Sequence, residues 1–147
     1  MVSLAAVLQL TRDVWMAMVG HAFDGLPDEA CGMLAGPKRG AGTRGIPAIE
    51  RITAFYPCRN AAASSRLYAI DDEDLGRAYA DADAKGLELV GTMHSHTHTD
   101  AYPSPTDVGA ADPWFHYAIV SLRQEAPVLR AFRIRDETID EEPVQLV

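Results

Sequence analysis

The sequence predicts an α/β (α+β) fold, a mixed β-sheet sandwiched by helices, and three observations predict it. Short apolar runs of strand length alternate along the chain with segments whose apolar residues recur at helical spacing. Glycine, proline and small polar residues punctuate the junctions between them. No repeat, low-complexity stretch or long linker divides the chain, so residues 1–147 are expected to share one core as a single domain.

Leu8 to Leu10 reads as a short strand. Thr11 is then an N-cap for a helix in which Trp15, Met18, Val19 and Ala22 fall at helical spacing, with Gly25 and Pro27 ending it. Cys31 to Ala35 is a buried strand, closed by the glycine-rich loop Gly36 to Gly45. Two extended stretches follow, Ile49 to Tyr56 and Arg66 to Ile70, separated by the small and polar run Asn60 to Ser65. Asp71 or Asp72 caps a second helix carrying Leu75, Ala78, Tyr79 and Ala82, which Gly86 stops. Leu87 to Met93 is a β-run that delivers the chain to His94. Ser104 to Ala111 reads as a short helix, and His116 to Ser121 and Val128 to Arg135 as strands, the second with the alternation of a half-exposed one.

Composition bounds the function. A chain of 147 residues is one domain in length and can bury roughly two thirds of its unfolded surface. Its 48% hydrophobic and 23% charged residues exclude extensive disorder. With 13 Lys+Arg against 21 Asp+Glu the net charge is −8, which argues against a nucleic-acid partner and against docking on anionic membranes. The apolar run Val2 to Leu10 has no positive region before it and is too short to span a bilayer, so a cytoplasmic protein is expected. Cys31 and Cys58 are then expected to be reduced thiols.

The chemistry concentrates in residues 91–107. His94 and His96 stand two apart, so in an extended segment both imidazoles leave one face with Cα atoms about 6.6 Å apart, a spacing from which two nitrogens can converge on one cation. A third ligand must come from His98, Asp100 or Asp107. An extended His98 would lie about 13 Å from His94, whereas Tyr102 and Pro103 can turn the chain back and bring Asp107 beside the strand end. Three protein ligands with a fourth position open is the catalytic zinc pattern. Taken alone, Ser104 to Asp107 is a capping box.

The conjunction of His-x-His, seven residues and Ser-x-x-Asp directly after a buried strand resembles the zinc site of the JAMM (MPN+, Mov34/PAD-1) metallopeptidase family. The family's upstream glutamate precedes a Gly-x-Leu-x-Gly strand, and residues 27–36 look like that element, with Glu29 in its place. The resemblance implies the MPN/JAMM domain with its cytidine-deaminase-like architecture. It further implies one Zn2+ per chain held by His94, His96 and Asp107. Glu29 would be the catalytic base that takes a proton from water and returns it to the leaving amine, and Ser104 would donate its hydroxyl to the oxyanion.

The compact form, with Asp-Glu-Ala-Cys-Gly at 28–32, Ala-Tyr-Pro-Ser at 101–104 and Glu-Glu-Pro-Val at 141–144, looks most like the bacterial branch that works with small ubiquitin-like sulfur-carrier proteins. That likeness implies hydrolysis after a Gly-Gly tail with release of cysteine, as in cysteine biosynthesis. A broader isopeptidase on ubiquitin-like conjugates, of deubiquitinase type, is the alternative, and 147 residues leave little room for the insertions that ubiquitin-specific members carry. The −8 charge would suit a carrier with a basic docking face.

Other classes fit less well. A non-catalytic MPN scaffold usually lacks the ligands that this chain retains. The order of Asp100 and His98 does not match the His-x-His-x-Asp-His of metallo-β-lactamases, and a zinc deaminase would need a Pro-Cys-x-x-Cys pair. A cysteine peptidase would use Cys31, which reads better as a core thiol beside the site. His98 is left as a residue near the metal or an adventitious ligand, Asp28 as a solvated loop residue, His21 as a surface or capping residue, and His116 as a strand residue apart from the site. Trp15 and Trp114 are expected in the core, and Asp71 to Asp74 to complement a helix N-terminus.

Overall fold

The computed structural model describes residues 6–40 and 45–147. Positions 2–5 of the N-terminal run and 41–44 of the glycine-rich loop lie outside them. The chain runs β1 (Val7–Leu10), α1 (Arg12–Asp24), β2 (Cys31–Pro37), β3 (Ile49–Ile52), β4 (Ala54–Cys58), α2 (Asp72–Ala84), β5 (Leu87–His96), α3 (Pro105–Gly109), β6 (His116–Ser121), β7 (Val128–Arg135), β8 (Thr138–Glu142) and β9 (Val144–Leu146). Six strands form a mixed sheet in the order β4-β2-β5-β6-β7-β8, in which only β5 and β6 run parallel. A second, all-parallel sheet has the order β3-β1-β9.

The predicted caps form as chemistry dictates. Thr11 Oγ1 accepts from the Val14 amide at 3.2 Å at the start of α1, and Gly25 closes it. Asp71 caps α2 by accepting from the Asp74 amide, and Gly86 follows in the left-handed region at φ 70°. Opposite faces of the main sheet carry separate cores. Leu8, Val14, Met18, Leu34, Val90, Met93 and Val120 pack under α1 and the small sheet, while Cys31, Met33, Ala35, Ala78, Ala82 and Leu89 pack under α2.

The structure corrects four expectations. Residues 49–56 are two strands in different sheets, because the chain crosses over at Thr53, whose amide donates to Ala35 O at 2.9 Å. Arg66 to Ile70 is no strand. Its backbone is satisfied inside a closed loop, with the Ala69 amide donating to Asn60 Oδ1 and only one isolated bridge, Asn60 to Ile70. Strands β8 and β9 were not anticipated: β8 follows a tight turn at Asp136 and Glu137, both at positive φ, and is an acidic edge strand with no apolar alternation. Trp114 is 51% exposed and so is not a core residue. No described helix is long and apolar enough to cross a membrane.

Candidate metal centre

The placement of the two histidines depends on a β-bulge. Leu34 pairs with Gly91 but Ala35 with Leu89, so Val90 is an extra residue on β5. Val90 and Met93 therefore both enter the core beneath α1 although they stand three apart, which strict alternation forbids. The bulge flips the parity beyond it, and His94 and His96 project with Thr92 to the opposite face. Gly91 makes the close approach possible: a Cβ there would sit 2.5 Å from His116 O on β6.

Three donor atoms meet at this strand end. His94 Nε2 lies 3.1 Å from His96 Nε2 and 3.1 Å from Asp107 Oδ2, and His96 Nε2 lies 3.2 Å from the same oxygen. Two ring nitrogens aimed at each other and at one carboxylate oxygen cannot all be satisfied as hydrogen bonds. They are spaced instead like three corners of a tetrahedron, whose edges are about 3.3 Å for metal–ligand arms of about 2.0 Å. These are the residues among those described that could together hold a metal ion. His96 Nδ1 donates to the Asp100 carbonyl at 2.7 Å, which directs the Nε2 lone pair toward the cluster. Burial pushes the His94 pKa down and so favours the neutral, ligating form.

Asp107 arrives from α3. Ser104 caps that helix: its Oγ accepts from the Asp107 amide at 3.0 Å, and its own amide donates to Asp107 Oδ2 at 2.8 Å. The capping box and the ligand set thus share one carboxylate. Burial would raise the Asp107 pKa, but the His94 and His96 rings set against its carboxylate hold it well below the usual carboxylate range.

Glu29 precedes β2 and is 5% exposed, with Oε1 buried and unpartnered. Desolvation pushes its pKa up to about 7, moderated by His96 and reinforced by Asp107, the two charges it faces. Its main chain is held on both sides: the amide donates to Ser64 O at 2.8 Å and the carbonyl accepts from Asn60 Nδ2 at 3.0 Å. Ser95, pointing away between the histidines, accepts from the Ala30 amide at 2.7 Å and ties β5 to the residue after Glu29.

All five residues of the motif converge in this region, while His98 is exposed and outside the cluster. Cys31 is buried and paired in register with His94. His21 is half-buried; its Nε2 lies 2.9 Å from Cys31 O and 3.3 Å from Cys58 O, bracing the start of β2. Residue-by-residue reading missed Tyr68, whose ring stacks on that of His94 at 4.4 Å, together with Asn60 and Ser64. A pairing between a loop and a strand 26 positions on leaves no local signal. A cavity of about 300 Å³ opens beside Asp107, lined by Met33, Tyr68, Tyr79, Thr92, Phe115 and Tyr117.

Residues 11–135 match the family described as prokaryotic homologs of the JAB domain. The chain is 40% identical over 146 residues to the CysO-cysteine peptidase of Mycobacterium tuberculosis, covering 96% of this chain and 92% of that one. It is 32% identical over 120 residues to the desampylase of Haloferax volcanii, covering 78% and 80%. The solution structure of a Desulfitobacterium hafniense protein superposes with a TM-score of 0.83 at 32% identity, over 95% and 92% of the two chains. By this match and by its fold, the chain belongs to the family of prokaryotic JAB-domain proteins.

Proposed function

We propose that this chain is a zinc-dependent hydrolase that cuts the peptide bond after the Gly-Gly tail of a small ubiquitin-like sulfur-carrier protein and releases cysteine. The observation that carries the substrate is the likeness, over nearly the whole of both chains, to a peptidase named for a carrier–cysteine conjugate. The donor set fits zinc: two imidazoles and one carboxylate with no thiolate, leaving a coordination position for water or substrate.

His94, His96 and Asp107 would hold the ion. Zinc, when bound, supplies a Lewis acid that polarises the scissile carbonyl and brings the pKa of water toward neutrality. Glu29 takes the proton of the attacking water at its unpartnered Oε1 and returns it to the leaving amine. Ser104 Oγ spends a lone pair on the Asp107 amide, which leaves its O–H free to donate to the developing oxyanion. Burial around Glu29 keeps bulk water from competing for that proton.

The test is mass spectrometry of a carrier ending Gly-Gly-Cys, incubated with zinc-loaded protein. The expected result is loss of one cysteine residue with wild type and none with Glu29→Gln; an unchanged carrier with wild type would remove the substrate assignment. A second reading, an isopeptidase on ubiquitin-like conjugates, is favoured by the likeness to the desampylase. A lysine-linked conjugate cleaved faster than the cysteine adduct would select it.

A further inference from the structure

We propose that Asn60 is a positioning residue for the reaction, whose amide fastens the main chain of Glu29 to the closed loop 60–70 so that the base and the cover over His94 move as one unit. The inference rests on Glu29 being the general base. Nδ2 donates to Glu29 O at 3.0 Å and to Leu67 O at 3.1 Å, with Ser64 O at 3.5 Å on the same side. Oδ1 accepts from the Ala62 and Ala69 amides, each at 3.0 Å. A primary amide offers two N–H groups and two lone pairs, and here the full inventory is committed to main chain.

The loop is closed at its neck by Ala61 N to Ala69 O at 2.8 Å and by the Asn60 to Ile70 bridge. It returns to the site at three points. Ser64 O receives the Glu29 amide, Ser65 O receives Thr97 Oγ1 at 3.2 Å, and Tyr68 stacks on His94. Glu29 itself belongs to no strand, since β2 begins only at Cys31. Its carbonyl and amide are therefore held by this loop, and the Asn60 side chain at the neck bonds the carbonyl directly and reaches the amide's acceptor, Ser64 O, at 3.5 Å.

Aspartate at position 60 would keep the acceptor but replace the N–H donors with an oxygen facing three carbonyls, and alanine would remove everything. In folded, zinc-loaded Asn60→Asp and Asn60→Ala, assayed on a carrier ending Gly-Gly-Cys, kcat is expected to fall on the order of 10- to 100-fold. Zinc stoichiometry and KM should stay within about twofold, because no ligand and no substrate contact is touched. Amide exchange gives a readout that needs neither substrate nor a variant. In wild type the Glu29, Ala62 and Ala69 amides should exchange at a common rate, as members of one opening unit. In Asn60→Ala all three should accelerate together. Normal kcat in the folded variants, or a Glu29 amide that stays protected while the loop amides exchange freely, would overturn the proposal. Should wild type leave the carrier–cysteine adduct uncut, the substrate reading fails, and the exchange measurement still decides the role of Asn60.

Discussion

Asp107 Oδ2 accepts from the Ser104 amide at 2.8 Å while Ser104 Oγ accepts from the Asp107 amide at 3.0 Å, so the carboxylate proposed as third metal ligand is oriented by the cap of its own helix. Asp107→Ala removes a ligand and half the box, and zinc measured by elemental analysis should drop from one per chain to none, while His98→Ala should retain it. Ser104→Ala should keep its zinc, lose about 1 kcal/mol of stability from the cap, and lose about 10²–10³-fold in kcat if the hydroxyl also serves the oxyanion. Full turnover in Ser104→Ala would reduce the serine to a cap.

Glu29→Gln preserves shape and removes the proposed base. It should bind zinc as wild type does and lose about 10²–10⁴-fold in kcat. Because burial pushes the Glu29 pKa up to about 7, and only the ionised form accepts a proton, kcat/KM should decline tenfold per pH unit on the acid side of about 7. A pH–rate profile flat down to pH 5 would remove Glu29 from that role.

Much of the fold and the grouping of His94, His96 and Asp107 was legible because the chemistry is local. His94 and His96 are two apart, Ser104 and Asp107 three apart, and the helices announce themselves through Thr11 and Asp71. What was not legible lies in pairings between distant segments. The β5 bulge has no sequence signal, since Val90 is an ordinary β-residue and only the register of Leu34 and Ala35 reveals it. Arg66 to Ile70 looks extended, yet the amide of Asn60 claims its backbone before a neighbouring strand can. β8 pairs through Asp140 and Glu141, residues that sequence patterning assigns to solvent.

The bulge makes Gly91 a position without substitutes. A methyl 2.5 Å from His116 O must separate β5 from β6 or move the bulge, and Gly91→Ala is expected to cost about 1–3 kcal/mol in chemical denaturation. Because the parity of His94 and His96 is set by the bulge at Val90, one residue before, zinc affinity should weaken in the same variant. Wild-type zinc affinity combined with normal stability would show that the register is held elsewhere.

Between the two sheets, buried His116 is bonded through Nδ1 to Glu142 at 2.7 Å and through Nε2 to Glu50 at 3.0 Å, with Arg39 on Glu50 as the second cation. Both ring nitrogens face carboxylates, so the imidazolium matches the site; burial opposes its charge, but the two carboxylates raise its pKa above the usual 6.5. For Glu50 burial likewise opposes ionisation, and the bonds from His116 and Arg39 outweigh it, lowering its pKa below 4.5. The signs give a window. The histidine's contribution is full below its unfolded pKa of 6.5 and is lost as pH rises through the higher folded value, while the glutamate's is full above 4.5 and is lost as pH falls through its lower folded value. Stability from this cluster should therefore be greatest between those two values. Thermal unfolding followed from pH 5 to pH 9 should show Tm falling on the alkaline side in wild type, and His116→Gln should lower Tm at pH 6 far more than at pH 9. The loss at pH 6 should be about 3–5 kcal/mol, the usual cost of breaking a buried ion pair by removing one partner. An equal loss at both pH values would mean that His116 is neutral in the folded protein.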